Sequence, residues 1–164
     1  MSDERRLTGR EQHAWRAYVE MQHRLERYLG RTLQRDFGLS EADFEVLVNL
    51  SESPGTCMRA VDLGRATQWE KSRLSHHLRR MEERGLVRRQ AGSGRYPEIV
   101  LTDAGRAAIE AAAPANAARV RQLFIDVLGP DRLDTMRSIA EDVTAAITAH
   151  QEATAPATTE ASAH

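Results

Sequence analysis

Apolar residues recur every three or four positions from about Glu11 to Phe37, at Trp15, Tyr18, Val19, Leu25, Tyr28, Leu29 and Leu33, with charged residues between them. That spacing predicts one long amphipathic helix, starting near Thr8 and stopping at Gly38. Ser40 followed by Asp43 has the form of a helix N-cap, and Phe44, Val46, Leu47 and Leu50 then predict a short buried helix that ends before Ser53-Pro54-Gly55. A third helix is expected over about Met58 to Thr67, with Val61, Leu63 and Ala66 as its apolar positions. A fourth follows from about Glu70 to Arg84, closed by Gly85 at a position suited to positive φ. After Gly85 the pattern turns extended. Leu86–Gln90 and Glu98–Leu101 read as two strands around the glycine-containing loop 91–97, which makes a β-hairpin. Thr102 can cap a helix that runs through an alanine-rich stretch to Leu128, with Pro114 expected to kink or break it and Gly129-Pro130 to end it. Leu133, Met136, Ile139, Val143 and Ile147 give a last helix from about Asp131 to Ala149, and the tail Gln151–His164, with no large apolar residue, is expected to be disordered.

Three short helices followed by a hairpin, between long flanking helices, is the layout of a winged helix-turn-helix: a mainly α fold with a small β-hairpin wing. The fourth helix carries the test, because such a fold needs it to be apolar inside and polar outside. At 100° per residue, Leu74, Leu78 and Met81 fall within about 60° of one another and form the buried stripe. Ser72, His76, Arg79 and Glu83 lie opposite, with Arg73 and Arg80 on one flank and Ser75 on the other. Short hydroxyls and long cations on one exposed face can reach base edges and phosphates when a helix lies in a major groove. Arg88 and Arg89 start the hairpin, and Arg95 lies at its tip, where a cation can enter the adjoining minor groove.

The net charge of −1 over 164 residues argues against a polyanion partner until it is divided by region. Residues 58–95 hold ten Arg or Lys against four Asp or Glu, while residues 96–164 hold five against ten. One basic segment in an otherwise acidic chain is the footprint of a single face that meets nucleic acid. The chain has the length of about one domain and no apolar run long enough to cross a membrane. Its only cysteine, Cys57, rules out an internal disulfide, and the start MSDERRLTGR has no apolar leader, so a cytoplasmic location is expected. None of GxGxxG, a P-loop, HExxH or GxSxG occurs, so neither enzyme activity nor a cofactor is expected.

Four stretches together resemble the MarR family of multiple-antibiotic-resistance-type transcriptional regulators. They are Leu39–Leu47 (LSEADFEVL), Glu70–Leu78 (EKSRLSHHL), Met81–Arg89 (MEERGLVRR) and Val100–Arg106 (VLTDAGR), and the similarity covers roughly Leu39 to Ala112. The resemblance implies a homodimer interlocked through its first and last helices, two winged units on a pseudo-palindromic DNA operator, and repression relieved by a small aromatic or acidic ligand or by oxidation. Lys71, Ser72, Arg73, Ser75 and His76 fall on the family's DNA-reading positions and Arg95 on its wing-tip arginine. His76 stands where arginine is frequent, and Ser93 where an aspartate usually braces that arginine. The division that follows is residues 1–37 as an N-terminal dimerisation helix, 38–105 as the DNA-binding winged unit, 106–150 as C-terminal dimerisation helices and 151–164 as tail.

The flanking amphipathic helices support association independently, since they carry more apolar surface than one winged unit covers; a symmetric dimer buries it, and an intramolecular bundle is the alternative. His13, Trp15 and Tyr18 on the first helix are the candidates for lining a ligand pocket, against a plain interface or core role. Cys57 reads as a small packed residue rather than a redox switch, because no resolving cysteine accompanies it. Adjacent His76 and His77 point about 100° apart on a helix, which does not make a chelating pair, so no metal site is expected. The rival to an operator-specific regulator is an architectural or protein-interaction winged-helix module without sequence preference.

Overall fold

Thr8 and Glu11 start the first helix reciprocally: the Glu11 carboxylate accepts from Thr8 N at 2.7 Å and the Thr8 hydroxyl accepts from Glu11 N at 3.4 Å. The computed structural model describes residues 6–92 and 97–154, and in it α1 spans Gly9–Phe37 and ends at Gly38, whose φ of 65° lets its N–H reach back to Leu33 and Gln34. Ser40 and Asp43 repeat the reciprocal cap at the start of α2 (Glu41–Glu52). After it come β1 (Cys57–Arg59), α3 (Ala60–Thr67), α4 (Lys71–Glu83), β2 (Val87–Gln90) and β3 (Glu98–Leu101). Two further helices follow, α5 (Asp103–Val120) and α6 (Asp126–Thr154).

The core of the winged unit is aliphatic. Val46, Leu47 and Leu50 from α2, Leu63 from α3, Leu74, Leu78 and Met81 from α4, and Ile99 from β3 are each no more than 3% exposed, and Leu33 and Ile109 bring α1 and α5 to the same cluster. Complete burial of side chains of this size contributes about 1.5–3 kcal/mol apiece. The sheet is antiparallel in the order β1-β3-β2, with Ile99 paired to Met58 on one side and Arg89 on the other. One hydroxyl ties the sheet to the next helix. Thr102 Oγ1 donates to the Gly85 carbonyl at 2.6 Å, lies 2.9 Å from the Leu86 carbonyl, and accepts from Gly105 N at 3.0 Å.

The structure departs from the sequence expectation in three places. Met58 and Arg59 belong to a third strand rather than to α3, because they pair with Ile99 and Glu98, which lie 41 and 39 positions on, partners that no local periodicity reveals. Pro114 lies inside α5, which continues past it to Val120 among alanines of high helix propensity. The departure from α geometry comes instead in the π turn Arg121–Ile125. Gly129, at φ 69° and ψ 173°, interrupts the helical path of α6 just before Pro130, as the Gly-Pro pair predicted. Gln151–Thr154 continue α6 in place of the tail expected from Gln151, with Thr154 Oγ1 donating to the His150 carbonyl at 2.8 Å; the rest of that tail lies outside the described residues.

The chain divides into two units, Met1–Arg119 and Val120–His164. Each has an exposed apolar stripe. On α1 it consists of Trp15, Tyr18, Met21 and Tyr28, and in the second unit of Leu123, Val127, Ile139, Val143 and Ile147, the last three spaced four apart and each more than half exposed.

Candidate nucleic-acid interface

The buried stripe of α4 consists of the residues that the helical spacing selected: Leu74, Leu78 and Met81 are 3%, 1% and 0% exposed. Anchoring that stripe turns Lys71, Ser72, Arg73, Ser75, His76, Arg79 and Arg80 outward, and all seven are exposed. Glu70 occupies the N-cap without a side-chain cap bond, which leaves the first-turn N–H groups of α4 open to an acceptor such as phosphate. Arg88 and Arg89 stand on β2 beside this helix, both exposed. A cleft of about 780 Å³ separates α3 and the start of α4 from the wing strands, lined by Val61, Trp69, Lys71, Leu74, Arg89 and Ile99 among others.

The cations are not equally available. Arg79 pairs with Glu83 at 3.3 Å one turn on, and Arg89 pairs with Glu82 at 3.3 Å, while Glu82 also accepts from Arg89 N at 3.0 Å. Arg88 donates to the Gln90 side chain at 2.7 Å. Exposed pairs of this kind are worth less than about 1 kcal/mol, so a phosphate can displace the carboxylate partner. Arg73 is held differently, with its guanidinium carbon 4.3 Å above the centre of the Trp69 ring. Among the described residues, Lys71, His76 and Arg80 form no ion pair. Arg95, the expected wing-tip cation, and Ser93 beside it lie outside the described residues.

A buried carboxylate fixes the helix beneath this face. Asp43, 2% exposed, accepts from Ser40 N at 2.9 Å and from the Arg84 guanidinium at 2.7 Å, and the same guanidinium donates to the Gly38 carbonyl at 2.7 Å. Arg84 thereby joins the end of α4 to the end of α1 and the start of α2. His77 Nε2 lies 3.1 Å from the other Asp43 oxygen without meeting hydrogen-bond geometry, a distance at which a protonated ring would be attracted to the carboxylate. Burial would raise the Asp43 carboxyl, but the bonds from Arg84 and Ser40 outweigh it and hold the group below its ordinary value. Burial lowers His77, and the nearby Arg80 and Arg73 charges add to it against the opposing pull of Asp43, so the imidazole is neutral at pH 7.

Sequence reasoning selected the outward residues of α4 but missed their supports. The sequence pattern marks Asp43 only as a cap and His77 only as a poor metal ligand, and it does not single out Trp69. The Trp69–Arg73 spacing of four was a usable signal, hidden because Trp69 precedes the helix. On α1, the Trp15 and Tyr18 rings meet with centroids 5.6 Å apart. Trp15 lines a shallow groove of about 490 Å³ with Arg16, Val19, Glu20, His23, Arg24 and Arg27; Tyr18 and His13 are exposed and do not line it. Cys57 is half-buried on β1, with its thiol 3.7 Å from the Pro54 carbonyl. Among the described residues, no cluster of His, Cys, Asp and Glu has the makings of a metal site, and no helix is long and apolar enough to cross a membrane.

Comparison with known proteins places this geometry among relatives. Residues 37–95 match a family model described as MarR family. The structure is similar to AbsC, a MarR family transcriptional regulator from Streptomyces coelicolor, at 41% identity and a TM-score of 0.83, covering 88% of this chain and 99% of that one. It is also similar to Sco3205, a MarR family transcriptional regulator of the same organism solved in complex with DNA, at 35% identity and a TM-score of 0.82, covering 87% and 94% of the two chains. A mutant MarR from E. coli complexed with operator DNA shares the fold at 21% identity and a TM-score of 0.70, over 78% of this chain and 91% of that one. No curated protein matches the sequence.

Proposed function

The chain belongs to the MarR family of transcriptional regulators, and from that premise we propose that two copies of it bind a pseudo-palindromic operator in the cytoplasm and repress transcription until a small ligand releases them. The observation that carries the reading is the outward face of α4, where Lys71, Ser72, Arg73, Ser75 and His76 stand together at the end of the helix nearest the cleft and the wing. In a major groove, Arg73 meets guanine O6 and N7, and the two serines meet base edges or phosphate. Arg79, Arg80, Arg88 and Arg89 take phosphates along the flanks, and Arg95 takes the minor groove. Residues 38–105 are the DNA-binding unit in this reading, with 1–37 and 106–150 as dimerisation segments. The exposed stripes of α1 and α6 are the surfaces a second copy covers, because isolated apolar faces of that extent are costly in water. Two winged units related by a twofold axis then reach half-sites one helical turn, about 34 Å, apart. The relative Sco3205, crystallised with DNA, supports the nucleic-acid partner. Trp15, Tyr18 and His13 would form one wall of an aromatic-acid pocket once the second copy is in place.

The test is titration of the purified protein against its upstream intergenic DNA and a scrambled duplex at near-physiological salt, with stoichiometry read from the same curve. Selective binding by a dimer is expected; equal binding to both duplexes would leave an architectural module instead. Arg73→Ala should lower the operator preference by about ten- to a hundredfold, as loss of a bidentate guanine contact does, with little change on scrambled DNA. Arg89→Ala should weaken both duplexes alike and reduce the salt slope by about one. Equal effects of the two substitutions on preference would refute this division of roles.

A further inference from the structure

Trp69 lies in the turn between α3 and α4, and its neighbours hold it from several sides. Gln68, at φ 55°, closes α3 in the left-handed region and sends the chain back so that Trp69 N donates to the Gly64 carbonyl at 3.2 Å. The side chain packs partly against the core, and its ring meets the His77 ring perpendicularly, with centroids 5.3 Å apart at 87°. The Glu45 carboxylate on α2 lies close to both the Trp69 indole and the Arg73 charge. One ring face carries Arg73, with its guanidinium carbon 4.3 Å from the ring centre. A guanidinium lying over a ring uses its flat face for the attraction and keeps its N–H edges free. Those edges are what guanine O6 and N7 accept from.

We propose that Trp69 is a positioning residue for operator reading: its ring, fixed against His77 and the core, holds the Arg73 guanidinium in one plane before DNA arrives. The proposal rests on the reading of Arg73 as a base-contacting residue. A free arginine on a helix surface samples many rotamers and loses that freedom on docking; one already stacked loses less. The gain applies only where Arg73 meets its base, so it enters the preference between sequences and not the general attraction to phosphate.

The full-length protein is titrated against operator and scrambled duplexes at one salt concentration, as wild type, Trp69→Leu, Trp69→Phe, Arg73→Ala and the Trp69→Leu/Arg73→Ala double variant. Trp69→Leu should lower the operator preference about fivefold, the factor an exposed cation–π contact carries, with scrambled binding and salt slope unchanged. Trp69→Phe, which keeps a ring under the cation, should stay within about twofold of wild type. In the Arg73→Ala background, Trp69→Leu should cost no further preference. A wild-type preference in Trp69→Leu, an equal loss on both duplexes, or an undiminished effect without Arg73 would overturn the proposal and leave Trp69 a packing residue. If Arg73→Ala itself keeps the wild-type preference, the base-contact reading fails first, and the inference falls with it. A second measurement does not need the leucine variant to fold. Trp15→Phe leaves Trp69 as the sole tryptophan, and adding Arg73→Ala should then make its emission easier to quench with acrylamide; unchanged quenching would show that the stack is absent in solution.

Discussion

Replacing Gly105 with alanine should destabilise the winged unit by about 3 kcal/mol or more, because the added methyl has no space that side-chain movement can create. A Cβ at Gly105 would stand 2.0 Å from the Leu86 carbonyl oxygen and 2.9 Å from the Leu101 side chain. The first obstacle is backbone. Moving it breaks the junction where the Leu86 carbonyl accepts from Thr102 N at 3.3 Å and Thr102 Oγ1 accepts from Gly105 N at 3.0 Å. A loss of this size in a chain of this length lowers Tm by about 6–12 °C, and a thermal melt of the variant measures it. Gly64→Ala is the matched control, since its Cβ would meet Leu74 Cδ2 at 3.5 Å, an ordinary contact, at a helical position where alanine is favoured by up to about 1 kcal/mol. Gly64→Ala should melt at or above wild type. An unchanged Tm in Gly105→Ala would mean that α5 does not approach the Leu86 carbonyl this closely.

The same glycine shows where sequence reading reaches its limit. In the sequence, Gly105 stands out only within Val100–Arg106 (VLTDAGR), one of the four stretches that carry the family resemblance. Its physical reason is a contact with Leu86, nineteen positions earlier. What depended on near neighbours was legible: the helix start at Thr8, the Ser40–Asp43 cap, the stop at Gly38, the positive φ at Gly85 and the buried stripe of α4 follow from residues within a turn or two of one another. What depended on distant partners was not. β1 is three residues long and exists because Ile99 pairs with Met58, and a three-residue segment has no periodicity of its own to read. Charge counting had a related limit. It found the basic segment but could not see that Arg79 and Arg89 are already matched by Glu83 and Glu82, or that Arg73 rests on an aromatic ring. Periodicity placed the cations on the exposed face, and tertiary contacts decide how each is held there.

Asp43→Ala should cost roughly 2–3 kcal/mol, through the partners it leaves behind rather than through the carboxylate itself. The substitution strips Ser40 N of its cap and removes from the Arg84 guanidinium the acceptor that pins α4 to the α1–α2 corner, and it leaves His77 beside Arg80 without a compensating anion. Arg84 is 43% exposed and recovers some hydration, which sets the estimate below that of a fully buried broken pair. Acidity should separate the two titrating groups. The folded Asp43 carboxyl lies below its unfolded value, so its contribution is complete above about pH 4 and is lost as pH falls through the folded value. His77 is also lowered on folding, so protonation favours the unfolded chain, and its cost begins as pH falls below about 6.5, well before Asp43 titrates. In Asp43→Ala the anion that partly offsets this cost is gone, so the variant should lose more stability than wild type between pH 7 and pH 5. Adding His77→Gln should remove that extra loss. Melts of wild type and both variants at the two pH values decide it: parallel declines would detach His77 from the Asp43 corner, and an Asp43→Ala protein as stable as wild type at pH 7 would show that this corner does not hold α4.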